Sequence, residues 1–304
     1  MKPLPMLVLA LPGGEKLAAG LARSLRCDWS NLVVHHYPDG ETAVRIDATV
    51  DGYCVLLAGS LNQPDTKTLP LIFAADAARE LGALKVGLVA PYLAYMRQDK
   101  RFQPGEAITS RSYARMLSAS LDFLVTVDPH LHRLHRLGEI YPIRTEVVPA
   151  APSIARWLRS HVASPWLIGP DQESAQWVAE VARLACAPWS VLHKRRRGDR
   201  DVGVKLTSTE RWPAHVPVLL DDIISTGETM LAATQLLKKA GLGAPLCIGV
   251  HALFDAQVQR RLLEGGVSRV LTCDTVSHPT NTLRMTSALA RACRQISAEK
   301  KTPR

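Results

Sequence analysis

Ten short, continuous apolar runs punctuate this chain, separated by stretches with helical periodicity. The runs are Met6–Leu11, Leu32–His35, Tyr53–Ala58, Lys85–Ala90, Phe123–Val127, Trp166–Ile168, Val191–Lys194, Val216–Leu220, Cys247–Ala252 and Val270–Cys273. Most are too short for helices and show no polar alternation, which marks strands buried on both faces. Between them, Glu15–Leu25 aligns Leu17, Leu21 and Leu25 on one stripe. Ser174–Ala185 aligns Ala175, Val178, Ala182 and Ala185. Thr229–Ala240 aligns Ala233, Leu236, Leu237 and Ala240, and stops at Gly241. Strand–helix alternation of this kind builds an α/β fold with mainly parallel sheets.

At 304 residues the chain fits one large domain or two ordinary ones. Leu124–Asp128 (LVTVD) recurs about half a chain later as Val270–Asp274 (VLTCD). Two similar domains are therefore expected, residues 1–147 and 148–304, with the crossing near Val147–Pro152. The last helix is expected to return to the N-terminal domain.

Charge narrows the partners less than it first suggests. Thirty-seven Lys and Arg against 28 Asp and Glu leave +9, which raises nucleic acid, membrane surface and phosphorylated metabolites. Only 5% of residues are aromatic, and no basic–aromatic interleaving offers a stacking platform for nucleic acid. No apolar run approaches the ~20 residues of a membrane span. The N-terminal run ends at Pro12-Gly13-Gly14 and reads as a strand rather than a secretory core. The six scattered cysteines form no C-x-x-C pair and read as small buried hydrophobes, so a cytoplasmic protein with reduced thiols is expected.

The segment with most chemistry is Val216–Met230, VPVLLDDIISTGETM. An apolar strand runs into Asp221-Asp222, then Ser225-Thr226-Gly227-Glu228-Thr229, then a helix. Two carboxylates at the end of a parallel strand suit vicinal hydroxyls. The loop after them offers backbone N–H groups and hydroxyls at a helix N-terminus, where an anion is favoured. Helix capping alone would explain T-G-E-T but not the adjacent acids.

Five further segments carry reactive side chains. Tyr37-Pro38-Asp39-Gly40-Glu41 reads by itself as a turn between strands. Arg97-Gln98-Asp99 follows a strand within Pro91–Phe102. Asp128-Pro129-His130 ends another, and His130, His132 and His135 invite a zinc reading. Helical spacing would put His130 and His132 on different faces, so a three-histidine site is not expected. Asp171 lies in a strand-to-helix turn, Ile168–Ser174. Lys194–Arg197 is a basic run with no specificity of its own.

With those residues in hand, Val216–Met230 resembles the ribose-phosphate-binding signature of the phosphoribosyltransferase fold. The whole chain resembles the ribose-phosphate pyrophosphokinase family, nearer its short archaeal-type members. The resemblance implies two phosphoribosyltransferase-type domains and Mg²⁺-dependent transfer of diphosphate from ATP to ribose 5-phosphate. It implies ATP contacts at Tyr37, Asp39, Glu41, Arg97, Gln98 and Asp99. Ribose 5-phosphate would bind at Asp221, Asp222, Ser225, Thr226, Gly227, Glu228 and Thr229. Catalysis would fall to Lys194 and Arg196, and metal binding to His130 and Asp171. It also implies a homo-oligomer in which Tyr37, Asp39 and Glu41 reach a neighbour's ATP site.

Two departures stand out. Glu228 occupies a position where the family usually has Gly, beside the expected 5-phosphate. Lys100–Ile108 lacks the Arg/Val-rich loop of the common allosteric bacterial members, so inhibition by ADP is not carried over. Arg156, Arg159, Arg260 and Arg261 read as surface solvation. Rival readings are a base-using phosphoribosyltransferase and an inactive regulatory paralogue.

Overall fold

The computed structural model describes residues 4–131, 133–197, 201–206 and 214–298, with backbone alone for 193–197 and 201–206. The first apolar run forms β1 (Met6–Ala10), followed by α1 (Glu15–Leu25), β2 (Asp28–His36), β3 (Thr42–Ile46), β4 (Cys54–Ala58), α2 (Pro64–Glu80), β5 (Lys85–Ala90), α3 (Thr109–Ser120), β6 (Phe123–Val127) and β7 (Arg144–Val148). The second half holds α4 (Ala151–His161), β8 (Pro165–Gly169), α5 (Ala175–Ala185), β9 (Trp189–Arg197), β10 (Asp201–Leu206), β11 (Val216–Ile224), α6 (Glu228–Lys239), β12 (Leu246–Ala252), α7 (Ala256–Glu264), β13 (Arg269–Cys273), β14 (Asn281–Leu283) and α8 (Thr286–Ala298).

All ten apolar runs are strands. The central ones are sealed: β4 and β6 are buried at every residue. The strands missing from the sequence reading are β3, β7, β10 and β14. β3, β10, β7 and β14 sit at the sheet edges, where one flank needs no partner and the run carries polar residues. Arg45 of β3, for instance, is held by Asp47 through two hydrogen bonds of 2.6 and 2.8 Å.

The duplication suggested by one five-residue echo is present throughout. The sheets run β3-β2-β1-β4-β5-β6-β7 and β10-β9-β8-β11-β12-β13-β14, the same order twice. In each, one antiparallel hairpin is added to a parallel sheet. The echo falls on β6 and β13, and the Asp after each donates its amide to the seventh strand: Asp128 N to Val148 O and Asp274 N to Leu283 O.

The chain divides into two compact units. One runs to Val148 and takes α8 as well; the other spans Pro149–Met285. α8 is fastened to the first unit at several points. Lys85 Nζ donates to Ser297 O at 2.8 Å, and a Cβ on Gly20 of α1 would lie 2.9 Å from Thr286 Cγ2. Buried Cys54 and Cys293 belong to the same core. Among the described residues no helix is long and apolar enough to cross a membrane.

In each sheet the winding direction reverses between the first and fourth strands, so a crevice opens outside their carboxyl ends. Ligands of open α/β sheets bind at such a switch point. In the second unit that point lies between β8 and β11.

Candidate functional site

The β8–β11 ladder ends at Ile168 paired with Leu219. Three residues beyond Ile168 is Asp171. Two and three beyond Leu219 are Asp221 and Asp222. The register brings the turn that carries Asp171 beside the end of β11 that carries Asp221 and Asp222. Burial, then the charges of Asp222 and Asp171, push the Asp221 carboxyl up to about 8. Its Oδ1 accepts the Asp222 N–H at 3.0 Å. Asp171 also caps its own turn, accepting the Ser174 N–H at 3.1 Å while its carbonyl accepts the Ser174 hydroxyl at 2.7 Å.

Beyond the acids the chain enters α6 through Gly227, which caps the helix in the left-handed region at φ 75°. Glycine is required there for space as well as conformation, because a Cβ would meet Val258 Cγ1 of α7 at 2.9 Å. Side-chain capping, the alternative reading of T-G-E-T, does not occur. α6 has no side-chain cap, and the Glu228 N–H reaches Thr226 Oγ1 only at 3.5 Å. Ser225, Thr226, Glu228 and Thr229 therefore surround a helix N-terminus whose amides are suited to an anion.

Glu228 is tied down. Its carboxylate lies 2.5 Å from Arg261 Nη2 on α7. Arg261 thus has a specific partner and is more than surface solvation. Nothing in the linear pattern joins residues so far apart; packing of α7 on the loop does.

Lys194 and Arg196 lie on β9 in its ladder with β10, opposite Val204 and Val202; their side chains are outside the described residues, as are Gly198–Arg200. β9 leaves β8 at Val191, so the Lys194 backbone stands about 10 Å beyond the parallel sheet at ~3.3 Å per residue.

In the first unit the topological twin of that hairpin is β2–β3, and its turn is Tyr37–Glu41. Tyr37 N donates to Glu41 O at 2.8 Å and Gly40 N to Tyr37 O at 3.0 Å. Asp39 accepts the Glu41 N–H at 3.1 Å, and the Tyr37 ring is 46% exposed. Arg97 and Gln98 are exposed in the loop after β5. Thr109 donates to Gln98 Oε1. Asp99 is turned inward. Its side chain is 2% exposed and its Oδ1 takes Arg133 Nη1 at 2.8 Å, while Oδ2 has no protein partner. Arg133 and Lys100 both lie over the Phe102 ring, 5.8 and 5.0 Å from its centre. Arg133 was not singled out by sequence; its bond to Asp99 links the loops after β5 and β6, and His130 lies in the second of them.

Within this unit the Tyr37 trio and the Arg97 trio follow strands that are not neighbours. β2 and β5 are separated by β1 and β4, which is about 14 Å across the sheet. The segment after β6 is irregular, so helical spacing does not govern His130, and His132 lies outside the described residues. Among the described residues no group of three or more His, Cys, Asp or Glu forms a metal cage. The crowded acids at Asp221 nonetheless suit a hard cation that takes few protein ligands and completes its shell with phosphate and water.

Two family models match this chain. One, the N-terminal domain of ribose phosphate pyrophosphokinase, covers residues 6–120; the other, the phosphoribosyl transferase domain, covers 147–287. A ribose-phosphate pyrophosphokinase of Methanopyrus kandleri is 33% identical over 96% of this chain and 100% of its own length. One of Saccharolobus solfataricus is 32% identical over 79% of this chain and 83% of its own. The crystal structure of phosphoribosylpyrophosphate synthetase from Mycobacterium smegmatis shares the fold, with a TM-score of 0.84 over 96% of this chain and 98% of that one, at 22% identity.

Proposed function

Because this chain belongs to the ribose-phosphate pyrophosphokinase family, we propose that it transfers the β,γ-diphosphoryl group of ATP to the 1-hydroxyl of ribose 5-phosphate. The products are 5-phosphoribosyl 1-diphosphate and AMP. The observation carrying this reading is the juxtaposition of an acid pair with an uncapped helix N-terminus at the switch point of the second sheet. Vicinal hydroxyls on the carboxylates and a phosphate on the loop are the two ends of one ribose 5-phosphate.

In the reaction the anomeric oxygen bonds to the β-phosphorus as the bridge to the α-phosphate breaks. The hydroxyl proton is lost and AMP departs with the bridging oxygen. Little covalent work falls to the protein, so catalysis is positioning and charge stabilisation. Asp221 and Asp222 accept from the ribose hydroxyls, and Ser225, Thr226, Gly227 and Thr229, with the backbone amide of Glu228, hold the 5-phosphate. Lys194 and Arg196, on the hairpin beyond the sheet, neutralise charge spreading over the transferring group. Arg97 and Gln98 bind ATP, with Asp99 and Arg133 fixing their loop. Mg²⁺ would supply further neutralisation, His130 being the candidate ligand in the first unit and Asp171 that in the second, with phosphate oxygens completing each shell. We place the enzyme in the cytoplasm with its soluble substrates.

Tyr37, Asp39 and Glu41 serve ATP in a neighbouring subunit. Their turn follows β2, which lies about 14 Å from β5 across the sheet of its own unit. A homo-oligomer is therefore expected, and dilution to monomers should remove activity. A monomer that is fully active by sedimentation and assay would refute this.

The function itself is tested by following AMP release from ATP with ribose 5-phosphate, beside pyrophosphate release with purine bases. ATP-dependent AMP formation is expected. Pyrophosphate release that needs a base, or no AMP with any pentose phosphate, overturns the reading.

A further inference from the structure

We infer that Arg261 is a positioning residue for sugar-phosphate binding: it holds the Glu228 carboxylate against α7 and so keeps it from competing with the substrate phosphate. The inference rests on the function proposed above and concerns the same loop. α7 braces that loop along one face, at positions 258, 261 and 262. Val258 and Leu262 fill the space a Cβ on Gly227 would need, at 2.9 and 3.4 Å. Arg261, on the same face, takes Glu228 at 2.5 Å. The helix itself is firmly started, with Asp255 Oδ1 accepting the Gln257 and Val258 N–H groups at 2.9 Å. It ends close against α6, where a Cβ on Gly265 would lie 2.4 Å from Leu231 Cδ2.

An acid in the first turn of a helix is ordinarily favourable because it satisfies the same amides and dipole that an anionic ligand would use. A carboxylate at position 228 is therefore an internal rival of the phosphate, present at high effective concentration. Pairing with Arg261 turns it away and cancels its charge. Both partners are solvent-exposed, 45% for Arg261 and 68% for Glu228, so the pair adds little to fold stability. Its effect falls on the ligand.

The test uses the full chain and four variants: Arg261→Ala, Arg261→Lys, Glu228→Ala and the double Glu228→Ala/Arg261→Ala. Ribose 5-phosphate affinity is measured by calorimetry, with steady-state constants for both substrates. Arg261→Ala is expected to weaken ribose 5-phosphate about tenfold, the scale of one uncompensated charge at a partly screened site. The KM for ATP and kcat stay within about twofold, and unfolding temperature is unchanged. Arg261→Lys keeps the charge and restores most of the affinity. In the Glu228→Ala background, removing Arg261 changes affinity by less than about twofold, because the rival is gone. An unchanged Kd for Arg261→Ala overturns the inference, as does an equal loss in both backgrounds or a loss in kcat alone. If the wild type binds ribose 5-phosphate but releases no AMP, the proposed reaction fails while the affinity ratios still decide the role of Arg261. If it binds no sugar phosphate, both fall.

Discussion

Lys194→Ala is expected to lower AMP release by roughly three orders of magnitude in kcat, with ribose 5-phosphate affinity within about twofold of wild type. Phosphoryl transfer spreads charge over oxygens that a preplaced cation stabilises more in the transition state than in the ground state, and single cations in such sites are worth on the order of 10³ or more. A group acting only there appears in kcat rather than in KM. Arg196→Ala should behave alike. Lys194→Arg should recover only part, because a planar fork does not replace a compact ammonium. If the basic run merely solvated a surface, each substitution would change turnover less than about twofold. The β9–β10 hairpin leaves β8 at Val191 and continues past the parallel sheet, so loss of the fold is not the expected cause. Unchanged melting with lost turnover completes the result.

The buried strands were legible because burial on both faces imposes a continuous apolar run; all ten such runs became strands, although the run in β2 is not sealed and keeps only Leu32 buried. Edge strands such as Arg144–Val148 were hidden because one flank faces no partner and their residues mix. The acids Asp171, Asp221 and Asp222 could be read singly, each just after a strand. That Asp222 and Asp171 both act on Asp221 follows from the packing of β8 beside β11, which no linear pattern carries. Tyr37 was legible as chemistry through resemblance, yet its place on the twin of the Lys194 hairpin needed the duplicated topology. Arg133 and Arg261 were missed for one reason. Each works through long-range partners, Asp99 and the Phe102 ring for Arg133 and Glu228 for Arg261, and an arginine on a polar segment has the signature of ordinary surface.

Asp221→Asn is expected to stabilise the ligand-free protein at alkaline pH while impairing catalysis. The Asp221 carboxyl sits at about 8 in the fold and near 3.9 in the unfolded chain. Between those values the folded chain keeps a proton that the unfolded chain has released, so stability falls as pH rises through that window. Below pH ~4 both states are neutral at this site and it imposes no penalty. Above pH ~8 the penalty is complete. Asparagine cannot ionise, and its Oδ1 can still accept the Asp222 N–H that Asp221 takes now. The melting temperatures of mutant and wild type should therefore converge near pH 4 and separate by roughly 5 °C or more at pH 9. Mg²⁺ should raise the wild-type melting temperature at pH 8–9, because a cation relieves the repulsion among the acids, and should raise that of the mutant less. Melting curves that stay parallel across this range would show that Asp221 is ionised throughout, and that neither burial nor its acidic neighbours hold its proton.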